Sequence, residues 1–153
     1  MLGRPLATWG QRAGALLIDT LVVSIPGAIV VGIVSATTST TIMDPFNGNT
    51  HRYVPAPFNL AWAVILAFEV IYFAALDGQS QTVGKRVLGI AVRAQGSGQP
   101  IGFGRALGRW LIYVGLFYLL LIPGVLNALS PLWDGKRQAW HDHAVGSVVV
   151  SLK

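Results

Sequence analysis

Two carboxylates stand inside apolar runs of this chain. Asp19 lies within Ala13 to Val34 and Glu69 within Phe58 to Leu76, and each is the single charged residue of its run. A charge at the centre of a membrane helix costs about 2.5–3.5 kcal/mol on insertion scales, so such a residue needs a partner or a task. Arg12 precedes Asp19 by two helical turns, which places both on one stripe about 10 Å apart. Counted from the same membrane boundary, Asp19 and Glu69 sit at similar depth, about 10 Å in at 1.5 Å per residue. Two carboxylates at one level cannot both ionise cheaply. They suit proton sharing or cation coupling. The plainer alternative is that each acid is neutral, or paired with a basic side chain, and fixes helix register.

Other motifs carry less. His141-Asp142-His143 has metal-ligand residue types, but three consecutive residues cannot all face one ion in regular structure, so no metal site is expected. Gly78 to Arg86 superficially resembles a phosphate loop. Five residues separate Gly78 from Gly84 where four are needed, and Arg86 stands where a Ser or Thr would meet magnesium. Lys85 and Arg86 read instead as a contact for lipid headgroups or a partner. There are no cysteines, which excludes disulfides, thiolate metal sites and thiol nucleophiles. No nucleophile elbow or zinc-protease motif is present, so neither an enzyme nor a cofactor is expected.

The elements that must hold these residues follow from composition. Of 153 residues, 53% are apolar and 11% charged, against roughly 25% charged in a soluble domain. The net charge of +5 would raise nucleic acid as a partner in a soluble protein. Here the basic residues flank apolar runs, so an anionic membrane surface is the expected partner and nucleic acid is not. Ala13–Val34, Phe58–Leu76 and Trp110–Trp133 are each long enough to cross a bilayer, which takes about 20 residues. The first is too long for the core of a cleaved leader, about 7–15 residues, and carries Asp19. The third is interrupted at Pro123-Gly124. Trp9, Trp62, Trp110, Trp133 and Trp140 fall near the ends of these runs, as an aromatic belt does.

Arg and Lys counts set the expected orientation. Arg4 and Arg12 flank the first run, and the loop Asp77–Arg109 holds five more basic residues. The loop Ser35–Pro57 holds only Arg52 and reads as turn-forming, polar chain. A straight third span places 7 basic residues inside and 4 outside; a re-entrant one places 10 inside and 1 outside. The second count predicts that both termini are cytoplasmic. Val87–Val92 and Ser147–Leu152 then read as two strands able to pair. The expectation is an all-α membrane protein forming a single domain over residues 1–153. It has three hydrophobic segments, the third broken or re-entrant at Pro123-Gly124, and a small cytoplasmic β element. Small residues recur every fourth position at Ser24-Ala28-Gly32-Ala36, Gly10-Gly14 and Gly104-Gly108, which predicts close helix packing. With so few helices to enclose a path, a homo-oligomer or a membrane-protein partner is expected beside the lipid bilayer.

These blocks together resemble the RDD family of small membrane proteins, named for an arginine and two aspartates. Arg12, Asp19 and Asp142 match those three positions, Asp142 within Arg137-Gln138-Ala139-Trp140-His141-Asp142-His143-Ala144-Val145-Gly146. Asp77 to Gly89, with Gly84-Lys85-Arg86, and Arg105-Ala106-Leu107-Gly108-Arg109 are also similar to family blocks. The resemblance extends over residues 9–150. His143 and Val145 depart from the usual pattern. The resemblance implies a multi-pass protein of the bacterial or archaeal cell membrane, with a proposed role in transporting ions, protons or a small ligand and no enzymatic activity. The alternative is a non-transporting scaffold or accessory subunit. If the tail is inside, Arg12 and Asp142 share one surface, and a salt bridge between them would clamp the tail over the stripe that ends at Asp19.

Overall fold

The computed structural model describes residues 3–38, 40–53 and 57–153. Its chain order is helix α1 (Trp9–Thr38), strands β1 (Thr40–Met43) and β2 (Thr50–Tyr53), and helices α2 (Pro57–Gly78) and α3 (Val83–Val87). Strand β3 (Ile90–Ala94) and helices α4 (Gly102–Leu119) and α5 (Leu121–Leu129) follow, then a 3-10 turn (Ser130–Leu132), helix α6 (Trp140–Val145) and strand β4 (Ser147–Ser151). Among the described residues two helical runs, Trp9–Thr37 and Ala61–Val87, are long and apolar enough to cross a membrane.

The chain divides into two compact units. One comprises Met1–Thr20 with Val70–Lys153, the other Leu21–Glu69. In the second unit, Leu21, Ile25, Ile29 and Ile33 recur every four residues and are each 57–59% exposed. A row of that kind is unfavourable in water and neutral against lipid tails. Gly27 lets Ile65 approach α1, since a Cβ there would stand 3.6 Å from the Ile65 side chain. The loop expected as polar turn carries structure. α1 continues to Thr38, and β1 pairs with β2 antiparallel from Thr40 opposite Tyr53 to Met43 opposite Thr50. Asp44 closes the hairpin by accepting from the Phe46 and Gly48 N–H groups. Ser39 and Val54 to Ala56 of that loop lie outside the described residues.

The first unit is built around β3 and β4, which pair antiparallel with Ile90 opposite Ser151 and Ala94 opposite Ser147. The tail strand begins where expected. The first strand starts three residues later than expected, because Val83–Val87 is helical. Every residue of β4 is buried, as its unbroken Val148-Val149-Val150 run requires of a strand covered on both faces. The N-terminal segment joins the sheet: Ala7 N–H donates to Val149 and Ser151 N–H donates to the Pro5 carbonyl. Ala7, Ala15, Ile90, Val92, Ile101, Ala106 and Val149 form the core beneath.

The third apolar run is two helices rather than one span, and its break differs from the expectation. The chain turns at Leu120 (φ −137°, ψ 76°), and Pro123 and Gly124 lie inside α5. Pro123 occupies the first turn of α5, where a missing N–H costs nothing because no intrahelical acceptor exists there. Gly124 lets α5 fold back on α4, since a Cβ at that position would lie 2.5 Å from Phe117 Cα. The expected small-residue rows account for only part of the close approach: a Cβ at Gly14 would lie 2.9 Å from the Leu88 side chain and one at Gly108 3.7 Å from Val145. A Cβ at Gly10, Gly32 or Gly104 would meet nothing within 4 Å, whereas one at Gly84 would lie 2.2 Å from the Ala15 carbonyl oxygen.

Candidate functional site

Five charged side chains of the first unit form an alternating chain. Arg12 Nη1 donates to Asp142 Oδ2 at 2.6 Å, and Arg109 Nε donates to Asp142 Oδ1 at 2.7 Å. Arg109 Nη1 donates to Asp77 Oδ2 at 2.5 Å, and Lys85 Nζ donates to Asp77 Oδ1 at 2.5 Å. The order is Arg12, Asp142, Arg109, Asp77, Lys85. Five helices contribute: Arg12 lies in the first turn of α1, Asp77 in the last turn of α2, Lys85 in α3, Arg109 midway along α4 and Asp142 in α6.

Asp142 is the most enclosed member, with no exposed surface. As the third residue of α6 it accepts from the Ala139 N–H at 3.1 Å, so it also caps its own helix. Ser147 Oγ donates a fourth bond at 3.1 Å. Burial alone would push the Asp142 carboxyl up. The Arg109 guanidinium, helped by Arg12, outweighs burial and holds it well below the usual carboxylate range. Arg12 also donates to the Arg137 carbonyl, which ties the start of α1 to the segment before α6.

Asp19 is buried and stands apart from the cations. Its Oδ1 accepts from Tyr72 Oη at 2.8 Å and from Gly84 N–H at 2.7 Å, and its Oδ2 accepts from Thr82 Oγ1 at 2.5 Å. Three donors replace the water a buried carboxylate would lose. Gly84 serves twice, offering its N–H to Asp19 and, lacking a Cβ, letting α3 rest on the backbone of α1.

His141 adjoins this network. Asn127 Oδ1 accepts from the His141 backbone N–H at 3.2 Å and lies 2.9 Å from Nδ1. That pair of bonds assigns the ring proton to Nδ1 and leaves Nε2 as an acceptor. Burial, together with Arg109, Arg12 and Lys85, pushes the imidazole down to about 3 against the opposing pull of Asp142. The ring is therefore neutral at ordinary pH, and its 3.6 Å approach to Asp142 is not an ion pair.

Beside the network lies a cavity of about 220 Å³. Arg12, Asp19, Asp77, Lys85, Arg109 and His141 supply its polar wall, and Trp9, Leu16, Phe73, Trp110 and Tyr113 most of the rest. Trp9 is fixed by its Nε1–H to the Ala128 carbonyl at 3.0 Å. Trp110 is buried here and takes no part in an aromatic belt.

Of the residues singled out in the sequence, the structure brings Arg12 and Asp142 into direct contact and joins Asp19 to Thr82 and Gly84 at the start of α3. Lys85 turns inward to Asp77 instead of facing headgroups, while Arg86 remains exposed. Glu69 belongs to the other unit and is half-buried, and its carboxylate has no hydrogen bond or ion pair among the described residues. No cluster of His, Asp or Glu suited to a metal ion occurs among the described residues. Sequence reasoning gave no role to Asp77, Arg109, Tyr72 or Thr82. Asp77 and Arg109 did have a signal: each is a charge at the edge of an apolar run, inside a block that carried the family resemblance.

Two long apolar helices and a buried ionic network define a helical membrane protein with an internal polar site. The RDD family model matches residues 6–146, and the chain belongs to that family. It is 27% identical over 158 aligned positions to the proline-rich antigen of Mycobacterium leprae, covering 94% of this chain and 60% of that protein. It is 37% identical over 71 positions to the proline-rich antigen homolog of Mycobacterium tuberculosis H37Rv, covering 46% of this chain and 28% of the relative. The chain thus spans at most 60% of the length of these bacterial relatives. No solved structure matches it.

Proposed function

We propose that this RDD protein is a non-enzymatic transporter whose first unit receives a small solute or ion at the charged cavity. The observation that carries the reading is the cavity wall, where six ionisable side chains converge beside aromatic rings. Ionisable groups in membrane proteins face interior cavities and mark solute and proton paths. Asp19 lines that cavity and is the coupling carboxylate of the proposal, with Glu69 as a second acid in the other unit. The exposed Arg86 and the bilayer's anionic headgroups make the surface contact, and further copies of the chain complete the path.

Reconstituted vesicles carrying a pH gradient test this. Wild-type protein dissipates the gradient or accumulates solute faster than protein-free vesicles, and Asp19→Asn slows that flux at least tenfold. Equal flux in wild type, Asp19→Asn and empty vesicles overturns it. One observation favours the scaffold reading instead: every carboxylate of the network already has its donors, as a structural clamp would require. A stoichiometric partner retained in mild detergent, with no flux, would establish that alternative.

A further inference from the structure

We infer that the cavity of the first unit is a binding site for a small organic anion, a carboxylate carried on an apolar or aromatic body. The inference rests on the reading of this cavity as a ligand site and names the ligand's chemistry.

The cavity is lined by three cations, Arg12, Lys85 and Arg109, against two anions, Asp19 and Asp77. Asp142, which balances Arg12 and Arg109 from behind, is not part of the lining. Counted over the lining side chains alone there is one more cation than anion, and Asp142 brings the whole cluster to neutrality.

Asp142 has two bonds on each oxygen, and Asp19 has two on one oxygen and one on the other. Their lone pairs are largely taken, which leaves little for a ligand that donates. The cations are in the opposite state. Arg109 makes two bonds and Lys85 one, fewer than a guanidinium or ammonium can donate. Arg12 Nε is buried with no hydrogen-bond partner at all. A buried donor without an acceptor costs about 1–3 kcal/mol, which a ligand acceptor would recover. His141 Nε2 and Asp77, whose oxygens accept one bond each, are lining groups that keep acceptor capacity. A cation would meet three fixed positive charges, with Asp77, already shared by Lys85 and Arg109, as the lining carboxylate that has a site left on each oxygen.

Trp9, Phe73, Trp110 and Tyr113 give the rest of the wall apolar faces. A free inorganic anion would leave these faces against water, whereas an aromatic or short aliphatic body would cover them. Arg is the side chain best suited to hold a planar carboxylate beside such rings.

The test is equilibrium binding to the full chain in nanodiscs of neutral lipid, read by tryptophan fluorescence and by saturation-transfer NMR on the probe. Benzoate, benzamide and benzylamine share one body and differ in charge. Benzoate binds saturably, at least tenfold more tightly than either of the others. Ala13→Leu and Ala128→Leu fill the cavity from two helices without removing a charge, and each weakens benzoate at least tenfold while the thermal midpoint holds. Binding of benzylamine or benzamide as tight as that of benzoate overturns the proposal. So does an absence of saturable benzoate binding by folded protein, or benzoate affinity unchanged in both folded filling variants. Because nothing is transported in this assay, benzoate binding without flux would leave the anion site standing and remove only the transport reading.

Discussion

Arg12 and Asp142 lie 130 residues apart in sequence, yet the guanidinium Nη1 of one stands 2.6 Å from the carboxylate Oδ2 of the other. The contact closes the chain on itself, joining the first turn of α1 to α6. Asp142 does not belong to Arg12 alone, because Arg109 holds its other oxygen at 2.7 Å.

That sharing orders the damage expected from mutation. Asp142→Asn leaves Arg12 and Arg109 buried with no anion between them, and breaking a buried pair from one side costs about 3–5 kcal/mol. Arg12→Gln costs less, because Asp142 keeps Arg109, Ser147 and the Ala139 N–H. Thermal melts in detergent check the ranking, and equal midpoints for the two variants would contradict it. Reversing the pair, Arg12→Asp with Asp142→Arg, does not rescue either single change, because it sets a second guanidinium against Arg109. A simple two-residue clamp would have been rescued.

Lys85 and Arg86 are neighbours in sequence with opposite fates. Lys85→Gln strips Asp77 of one of its two cations and lowers the thermal midpoint by several degrees. Arg86→Gln leaves the midpoint within about a degree of wild type, as exposed substitutions do. A reversed order would mean that Asp77 does not depend on Lys85.

Gly84→Ala is expected to be among the most damaging single-methyl changes in the chain. The added Cβ would overlap the Ala15 carbonyl oxygen at 2.2 Å, and backbone cannot swing aside as a side chain does. Overpacking typically costs about 1–3 kcal/mol, and this site combines it with displacement of a bond to Asp19. Gly104→Ala is the control, since nothing lies within 4 Å of that position. Comparable midpoints for the two would refute the close approach.

Acid weakens the fold in a defined direction. His141 is held neutral with its pKa lowered to about 3, against 6.5 when unfolded. Between those values the unfolded chain binds a proton that the folded chain does not, so stability falls as pH drops from about 6.5 toward 3. One such group contributes at most about 1.4 kcal/mol per pH unit. Asp142, also depressed, adds loss of the same sign below its unfolded value of 3.8. His141→Gln flattens the slope of the midpoint between pH 6.5 and 4.5; an unaltered slope would remove His141 from this account.

Much of the fold was legible because the signals are local. Long apolar runs marked α1 and α2, and the valine-rich tail marked β4, since burial on both faces requires an unbroken apolar strand. Asp19 and Asp142 drew attention by resemblance and by cost. The third run shows where local reading ends. Pro123 looked like its break, but proline is tolerated in a first helical turn, and the corner fell at Leu120, where the return of α5 against α4 demanded it.

The sequence by itself determined that this is a membrane-type chain, that its charges are few, and that an arginine and two aspartates matter. Hydrophobic length and the cost of burying charge are properties a residue carries wherever it lies. Only the tertiary structure decided that Asp19 answers to Tyr72, Thr82 and Gly84 and that Asp77 and Arg109 complete the ionic chain. Only it decided that three cations and two carboxylates line the cavity beside them. Those pairings span up to 130 residues, and which donor reaches which carboxylate depends on how five helices meet.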